Sequence, residues 1–129
     1  MDKNQKKILI VEDDLDLQNL LFDRLSASNY SVYRASDGEE AVTALVDKKP
    51  HLVLLDLLLP KLDGFHVLDR LRHYPEDQVA NTKVVVLSNL WSDKDILRAQ
   101  ALKVDEYYVK ANTNLDEVYS KIADILNKL

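Results

Sequence analysis

The chain is predicted to be an α/β domain, a parallel sheet covered by helices on both faces. Three observations predict it. Short apolar runs alternate with helical patterns along the whole chain, as in successive βαβ units. The runs are apolar at consecutive positions, as in Ile8-Leu9-Ile10-Val11 and Leu52-Val53-Leu54-Leu55, which marks strands buried on both faces. Charged residues then stop them: Glu12-Asp13-Asp14 and Asp56 end these two runs, and Lys110 ends Tyr107-Tyr108-Val109. In parallel sheets the functional crevice lies at the carboxyl ends of the strands, so Glu12, Asp13, Asp56 and Lys110 are expected at one edge.

The elements follow in order. The first strand spans 7–12 and leads into a helix over 15–27, with Asp14 as its cap and Leu17, Leu20, Leu21 and Leu25 on one face. A strand over 30–35 precedes a helix over 38–48, where Ser36 and Glu39 have the spacing of a capping box. The strand over 51–56 is followed by a turn set by Pro60 and a helix over 64–74 opened by Gly64. The segment 75–82 reads as a long, mobile connection before the strand over 83–88. A helix over 93–102, a strand over 105–109 and a helix over 115–128 complete the chain, the last helix with a capping box at Asn114 and Glu117. Right-handed crossovers then place helices on both sides of the sheet.

The 129 residues are expected to form a single domain over 1–129 with no effector domain. At 47% hydrophobic and 30% charged the chain can bury a core and stay soluble. A formal net charge of -5 argues against a nucleic-acid or membrane surface. With no cysteine, disulfides, thiolate metal sites and thiol catalysis are excluded. The start, Met1 to Lys7, is polar and runs straight into a strand, so neither a signal peptide nor a membrane span is expected, and the location is read as cytoplasmic.

Taken singly, the charged residues have ordinary uses. Acids before a helix cap it, a strand-end aspartate makes an Asx turn, and a lone lysine is solvated. Taken together they do not, because clustered carboxylates repel one another unless a cation lies between them. The set therefore asks for a divalent metal. An aspartate so placed can accept a phosphoryl group once the charge is neutralised. His51, His66 and His73 lack metal-ligand spacing, so no zinc site is expected. Trp91 is read as packing or a partner contact.

With Ile10-Val11-Glu12-Asp13-Asp14, the stretch from Asp56 to Gly64, Val86-Leu87-Ser88 and Tyr107-Tyr108-Val109-Lys110, the chain resembles the receiver domain of two-component response regulators over essentially its whole length. The resemblance implies a flavodoxin-like, three-layer (βα)5 fold with a five-stranded parallel sheet in the order 2-1-3-4-5, as in chemotaxis receivers. It implies Asp56 as phosphoacceptor and Asp13 as direct Mg²⁺ ligand. Glu12 would reach the ion through water, and Leu58 would add a carbonyl ligand. Ser88 would be the switch hydroxyl, Lys110 the phosphoryl contact and Tyr107 the aromatic switch. A histidine kinase or histidine phosphotransfer protein would be the donor. The altered surface would be the fourth predicted helix with the fifth strand and helix, read by an unknown protein target, with a phosphorylation-dependent homodimer as a further option. No turnover enzyme is implied, only a stoichiometric phosphoacceptor with self-phosphorylation from small donors and autodephosphorylation.

The chain departs from the family at three places. Ala111 replaces the proline usual after Lys110, Asn89 replaces a small residue after Ser88, and the turn Ala101 to Asp105 lacks its usual glycine, so a non-glycine residue must supply any left-handed backbone there. Asn89 is expected to narrow access to Asp56. A haloacid-dehalogenase-like phosphatase would need a second acid at position 58, where Leu58 stands. An interaction module without the switch is disfavoured by the complete acid and lysine set. A flavin site lacks the phosphate loop after the first strand.

Overall fold

The computed structural model describes residues 5–129, so the polar start over 1–4 lies outside the described residues. Five strands form one sheet: β1 (Lys7–Val11), β2 (Ser31–Ala35), β3 (Leu52–Leu55), β4 (Lys83–Ser88) and β5 (Glu106–Val109). Every neighbouring pair is parallel and the order is β2-β1-β3-β4-β5, as expected. The helices are α1 (Leu15–Ala27), α2 (Gly38–Lys48), α3 (Gly64–Arg72), α4 (Asp77–Ala80), α5 (Asp93–Ala101) and α6 (Leu115–Asn127). A 3-10 turn, Lys110–Asn112, follows β5.

Alternate strand residues feed two cores. Leu9, Val11, Val53, Leu55, Val84 and Val86 pack with Ala41 and Leu45 of α2, Val67, Leu68 and Leu71 of α3, and Ala99 of α5. Ile8, Ile10, Leu52, Leu54, Val85 and Leu87 pack on the other face with Leu21 and Leu25 of α1 and Val118, Ile122 and Leu126 of α6. This is why the three central strands are apolar at consecutive positions. Each buried Leu, Ile or Val contributes about 1.5–3 kcal/mol of transfer free energy, which holds the strand ends in register.

Local differences from the sequence expectation have plain causes. Asp14 caps α1, its side chain accepting from the amides of Asp16 and Leu17. The buried stripe of that helix is Gln18, Leu21 and Leu25, however, and Leu20 is exposed. The cap of α2 is Asp37, not Ser36: Asp37 Oδ1 accepts from Glu40 N at 2.8 Å, and Glu40 Oε1 reaches back to Ser36 N at 2.9 Å. The Ser36 hydroxyl is already engaged, accepting from Gln18 Nε2. Asn114 caps α6 by accepting from Asp116 N, while Glu117 donates its own amide to the Asn114 carbonyl.

The segment 75–82 is more ordered than a loose connection. It contains α4, and the Arg72 guanidinium donates to the carbonyls of Ala80 and Thr82 at 3.0 and 2.7 Å. The same guanidinium donates to Leu102 and Lys103 at 2.8 and 2.9 Å, which ties the turn before β5. In that turn Lys103 takes the left-handed conformation, with φ of 61°.

Candidate functional site

The sheet register builds the site. Val11 pairs with Leu55, and Asp56 N donates to the Val11 carbonyl at 3.0 Å, so Glu12 and Asp56 emerge side by side. Ser88 pairs with Val109, which puts Ser88 and Lys110 at the same edge. The loop after Asp56 is held close by the chain's two glycines. A Cβ at Gly64 would lie 2.5 Å from Leu57 Cα and 2.6 Å from the Asp56 carbonyl, and a Cβ at Gly38 would strike the Leu62 carbonyl. Between them Leu62 N donates to the Pro60 carbonyl at 2.7 Å across Lys61, whose φ is 67°, a γ-turn that costs about 1–3 kcal/mol.

Lys110 Nζ lies 2.8 Å from both Glu12 Oε1 and Asp56 Oδ2. Glu12 and Asp56 are 2% and 3% exposed. Their other oxygens are also bonded: Glu12 Oε2 accepts from Asp14 N at 3.1 Å and Asp56 Oδ1 from Leu58 N at 3.0 Å. Burial pushes the Glu12 carboxyl up from its ordinary value, against the pull of Lys110 and the Asp14 amide. Burial works to lower Lys110, but its bonds to Asp56 and Glu12 outweigh it and raise the ammonium above the usual lysine value. Lys110 is therefore a fixed cation at neutral pH.

Glu12, Asp13 and Asp56 each offer a carboxylate oxygen, all within 4.8 Å of one another. Three carboxylates thus face one ammonium. All the donors are hard oxygens, which suits a small divalent cation that keeps some waters, since Asp13 is exposed while the others are buried. The acidic group can hold a metal ion.

The remaining predicted residues lie around this centre. Ser88 is fully buried at the end of β4, and its Oγ accepts a long bond from Leu90 N at 3.4 Å. Leu90 links it to Tyr107, whose hydroxyl donates to the Leu90 carbonyl at 2.7 Å. The Tyr107 ring is half-buried against the core. Asn89 and Trp91 are exposed on the loop between β4 and α5, and Leu58 is exposed beyond Asp56. Among the described residues no peptide is cis, so the Lys110–Ala111 peptide is trans. The histidines stand apart: His51 Nδ1 accepts from Lys7 N, His66 pairs with Asp63, and His73 with Asp69.

One residue at the site was not foreseen. Gln18 is 4% exposed, and its Nε2 donates to the Glu12 carbonyl at 2.8 Å, Ser36 Oγ at 3.1 Å and the Ala35 carbonyl at 3.3 Å. The signal was present: Gln18, Leu21 and Leu25 form the i, i+3, i+7 stripe of α1, and a polar residue on a buried stripe must find partners.

The family model for the response regulator receiver domain matches residues 8–123. The chain belongs to that family. The receiver is 38% identical over 110 residues to the probable transcriptional regulator ycf27 of Cyanophora paradoxa, covering 85% of this chain and 44% of that protein. It is 36% identical over 123 residues to the alkaline phosphatase synthesis transcriptional regulatory protein PhoP of Bacillus subtilis, covering 95% of this chain and 49% of PhoP. The receiver thus spans about half the length of these curated relatives. Among solved structures, the BeF3-activated N-terminal receiver domain of RstA from Klebsiella pneumoniae superposes with a TM-score of 0.82 at 27% identity, covering 94% of this chain and 98% of that one.

Proposed function

We propose that Asp56 accepts a phosphoryl group from the phosphohistidine of a kinase or phosphotransfer protein, in a reaction that needs Mg²⁺. The observation that carries this reading is the convergence of Glu12, Asp13 and Asp56 within 4.8 Å, with Lys110 bonded to two of them. Asp13 and Asp56, with the Leu58 carbonyl, would hold the ion directly and Glu12 through water. Bound there, Mg²⁺ supplies the positive charge that lets an anionic phosphoryl group approach a carboxylate.

The chain's own groups do the rest. An Asp56 oxygen forms the new O–P bond as the N–P bond of a phosphohistidine protonated on its other ring nitrogen breaks; the electron pair stays on the leaving nitrogen, which leaves an acyl phosphate and a neutral imidazole. Lys110 already lies 2.8 Å from Asp56 Oδ2 and pairs with a phosphoryl oxygen as charge spreads over it. The Ser88 hydroxyl turns from the Leu90 amide to a second oxygen. Leu90 also accepts from Tyr107, so that turn moves the aromatic ring and biases the surface of α5, β5 and α6. Asn89 beside Ser88 adds an amide at the mouth of the site and narrows it. The protein acts stoichiometrically, with only self-phosphorylation and autodephosphorylation of its own, in the cytoplasm, and a protein target reads the switched surface, with homodimerisation as one mode. Among the described residues no helix is long and apolar enough to cross a membrane.

The test is mass spectrometry after incubation with acetyl phosphate or phosphoramidate. Wild type gains one phosphoryl group with Mg²⁺ and none with chelator, and Asp56→Asn gains none. Failure of wild type with every donor, including a phosphorylated phosphotransfer protein, refutes the reading.

A further inference from the structure

Of the site carboxylates, Asp13 is the least constrained. Glu12 and Asp56 are bonded through both oxygens, to Lys110, Asp14 N and Leu58 N. Among the described residues no hydrogen bond or ion pair holds the Asp13 carboxylate, and the residue is exposed. Its place beside the others therefore depends on its backbone. The peptide between Glu12 and Asp13 is a rigid planar unit, so fixing the Glu12 carbonyl fixes the direction in which Asp13 leaves the strand.

That carbonyl lies just past the β1–β2 ladder. The last bond of the ladder runs from Glu12 N to the Ala35 carbonyl at 3.0 Å. Beyond it β2 turns away to the α2 cap, and no strand is left to donate. Gln18 takes over: its amide reaches across from α1 to the Glu12 carbonyl and spans the gap to Ser36. A buried primary amide thus joins three segments, the end of β1, the end of β2 and the first turns of α1, at the peptide that carries Asp13. No apolar residue could do this, and an unpaired carbonyl in that place would favour a rotated peptide.

We propose that Gln18 is a positioning residue for metal binding, aiming Asp13 at the shared carboxylate site through the Glu12–Asp13 peptide. The inference rests on the reading of the acidic group as a Mg²⁺ site. Gln18 touches neither ion nor phosphoryl group. Outer partners that hydrogen-bond a ligating side chain typically change metal affinity about 10–100-fold; Gln18 acts one peptide further out, so the lower end of that range is expected.

The experiment is a Mg²⁺ titration of the apo protein followed by amide NMR shifts, with thermal melting of the same samples. Gln18→Met keeps the length and burial and removes the donor. The Mg²⁺ dissociation constant is expected to rise about tenfold, with the largest apo-state shift changes at Asp13 and Asp14. Gln18→Asn, too short to reach the Glu12 carbonyl, is expected to behave alike and stands in if the methionine variant does not fold. Leu21→Ala, one turn on in the same buried stripe, should melt earlier than wild type and bind Mg²⁺ as wild type does. A dissociation constant within twofold of wild type in the folded Gln18 variant overturns the proposal, as does an equal loss in Leu21→Ala. Wild type that shows no saturable Mg²⁺ response overturns the metal-site reading and this inference with it.

Discussion

The two edges of the sheet each hold a cation withdrawn from water, and they treat it in opposite ways. At the amino edge, Arg72 donates to four backbone carbonyls, of Ala80, Thr82, Leu102 and Lys103. At the carboxyl edge, Lys110 donates to the carboxylates of Glu12 and Asp56, with Asp13 close by. Burial lowers Arg72 from the ordinary guanidinium value, with Asp105 opposing, because carbonyl dipoles only partly replace water. At Lys110 burial pulls the same way, but anionic partners more than compensate. The Arg72 cluster is built of neutral acceptors: four guanidinium N–H groups meet four carbonyls, with Asp105 as the anion that acts on them. The Lys110 cluster is short of positive charge. A cation among neutral dipoles ties segments together and asks for no counter-ion, whereas a cation outnumbered by carboxylates leaves an excess of negative charge that a second cation can offset.

Three substitutions sharpen that contrast. The largest effect is expected from Lys110→Met, which leaves two buried carboxylates facing each other without a counter-charge. Such a loss costs about 3–5 kcal/mol, read as a fall in the midpoint of urea unfolding, and added Mg²⁺ should restore more of it than it adds to wild type. Arg72→Met should cost less, about 2–3 kcal/mol, since solvent reaches part of that edge. Mg²⁺ should restore none of that loss beyond its effect on wild type, and labelling of Asp56 by acetyl phosphate should persist below the new melting point. If Mg²⁺ rescued both variants alike, the two edges would not be separable. The smallest effect is expected from Asp37→Asn. The Glu40 amide bond leads in holding the Asp37 carboxyl below the usual aspartate range. A lowered folded value means stabilisation that is full above the unfolded pKa and is lost as pH falls through the folded one. The variant should therefore be slightly less stable than wild type near neutral pH, and the two should converge in acid below the ordinary aspartate range, measured as melting temperature against pH.

Much of this was legible because burial on both faces writes itself as uninterrupted apolar runs, and the strand ends of β1, β3 and β5 can be read from where those runs stop. The site acids and Lys110 followed from that. Gln18 and Arg72 did not, since a long polar side chain on a helix looks solvated until the carbonyls it reaches are known. Some of those carbonyls belong to segments far along the chain, as with Arg72 and Lys103. The cap at Asp37 was misplaced by one residue because Ser36 is equally suited to the role and was occupied by Gln18. Helix α4 is one short turn with too few residues to show a period.

The paired glycines have a mechanical consequence. Gly38 and Gly64 bring two helix starts against the loop following Asp56 so closely that neither leaves room for a methyl group. That side of Asp56 is a fixed jaw. The opposite side, from Ser88 to Trp91, has a long bond at Leu90 N and a tyrosine hydroxyl on the Leu90 carbonyl to steady it before Ser92 caps α5. A group that enters the crevice would therefore be accommodated on the side of Leu90 and Trp91, a direction set by where the chain has placed its only two residues without side chains.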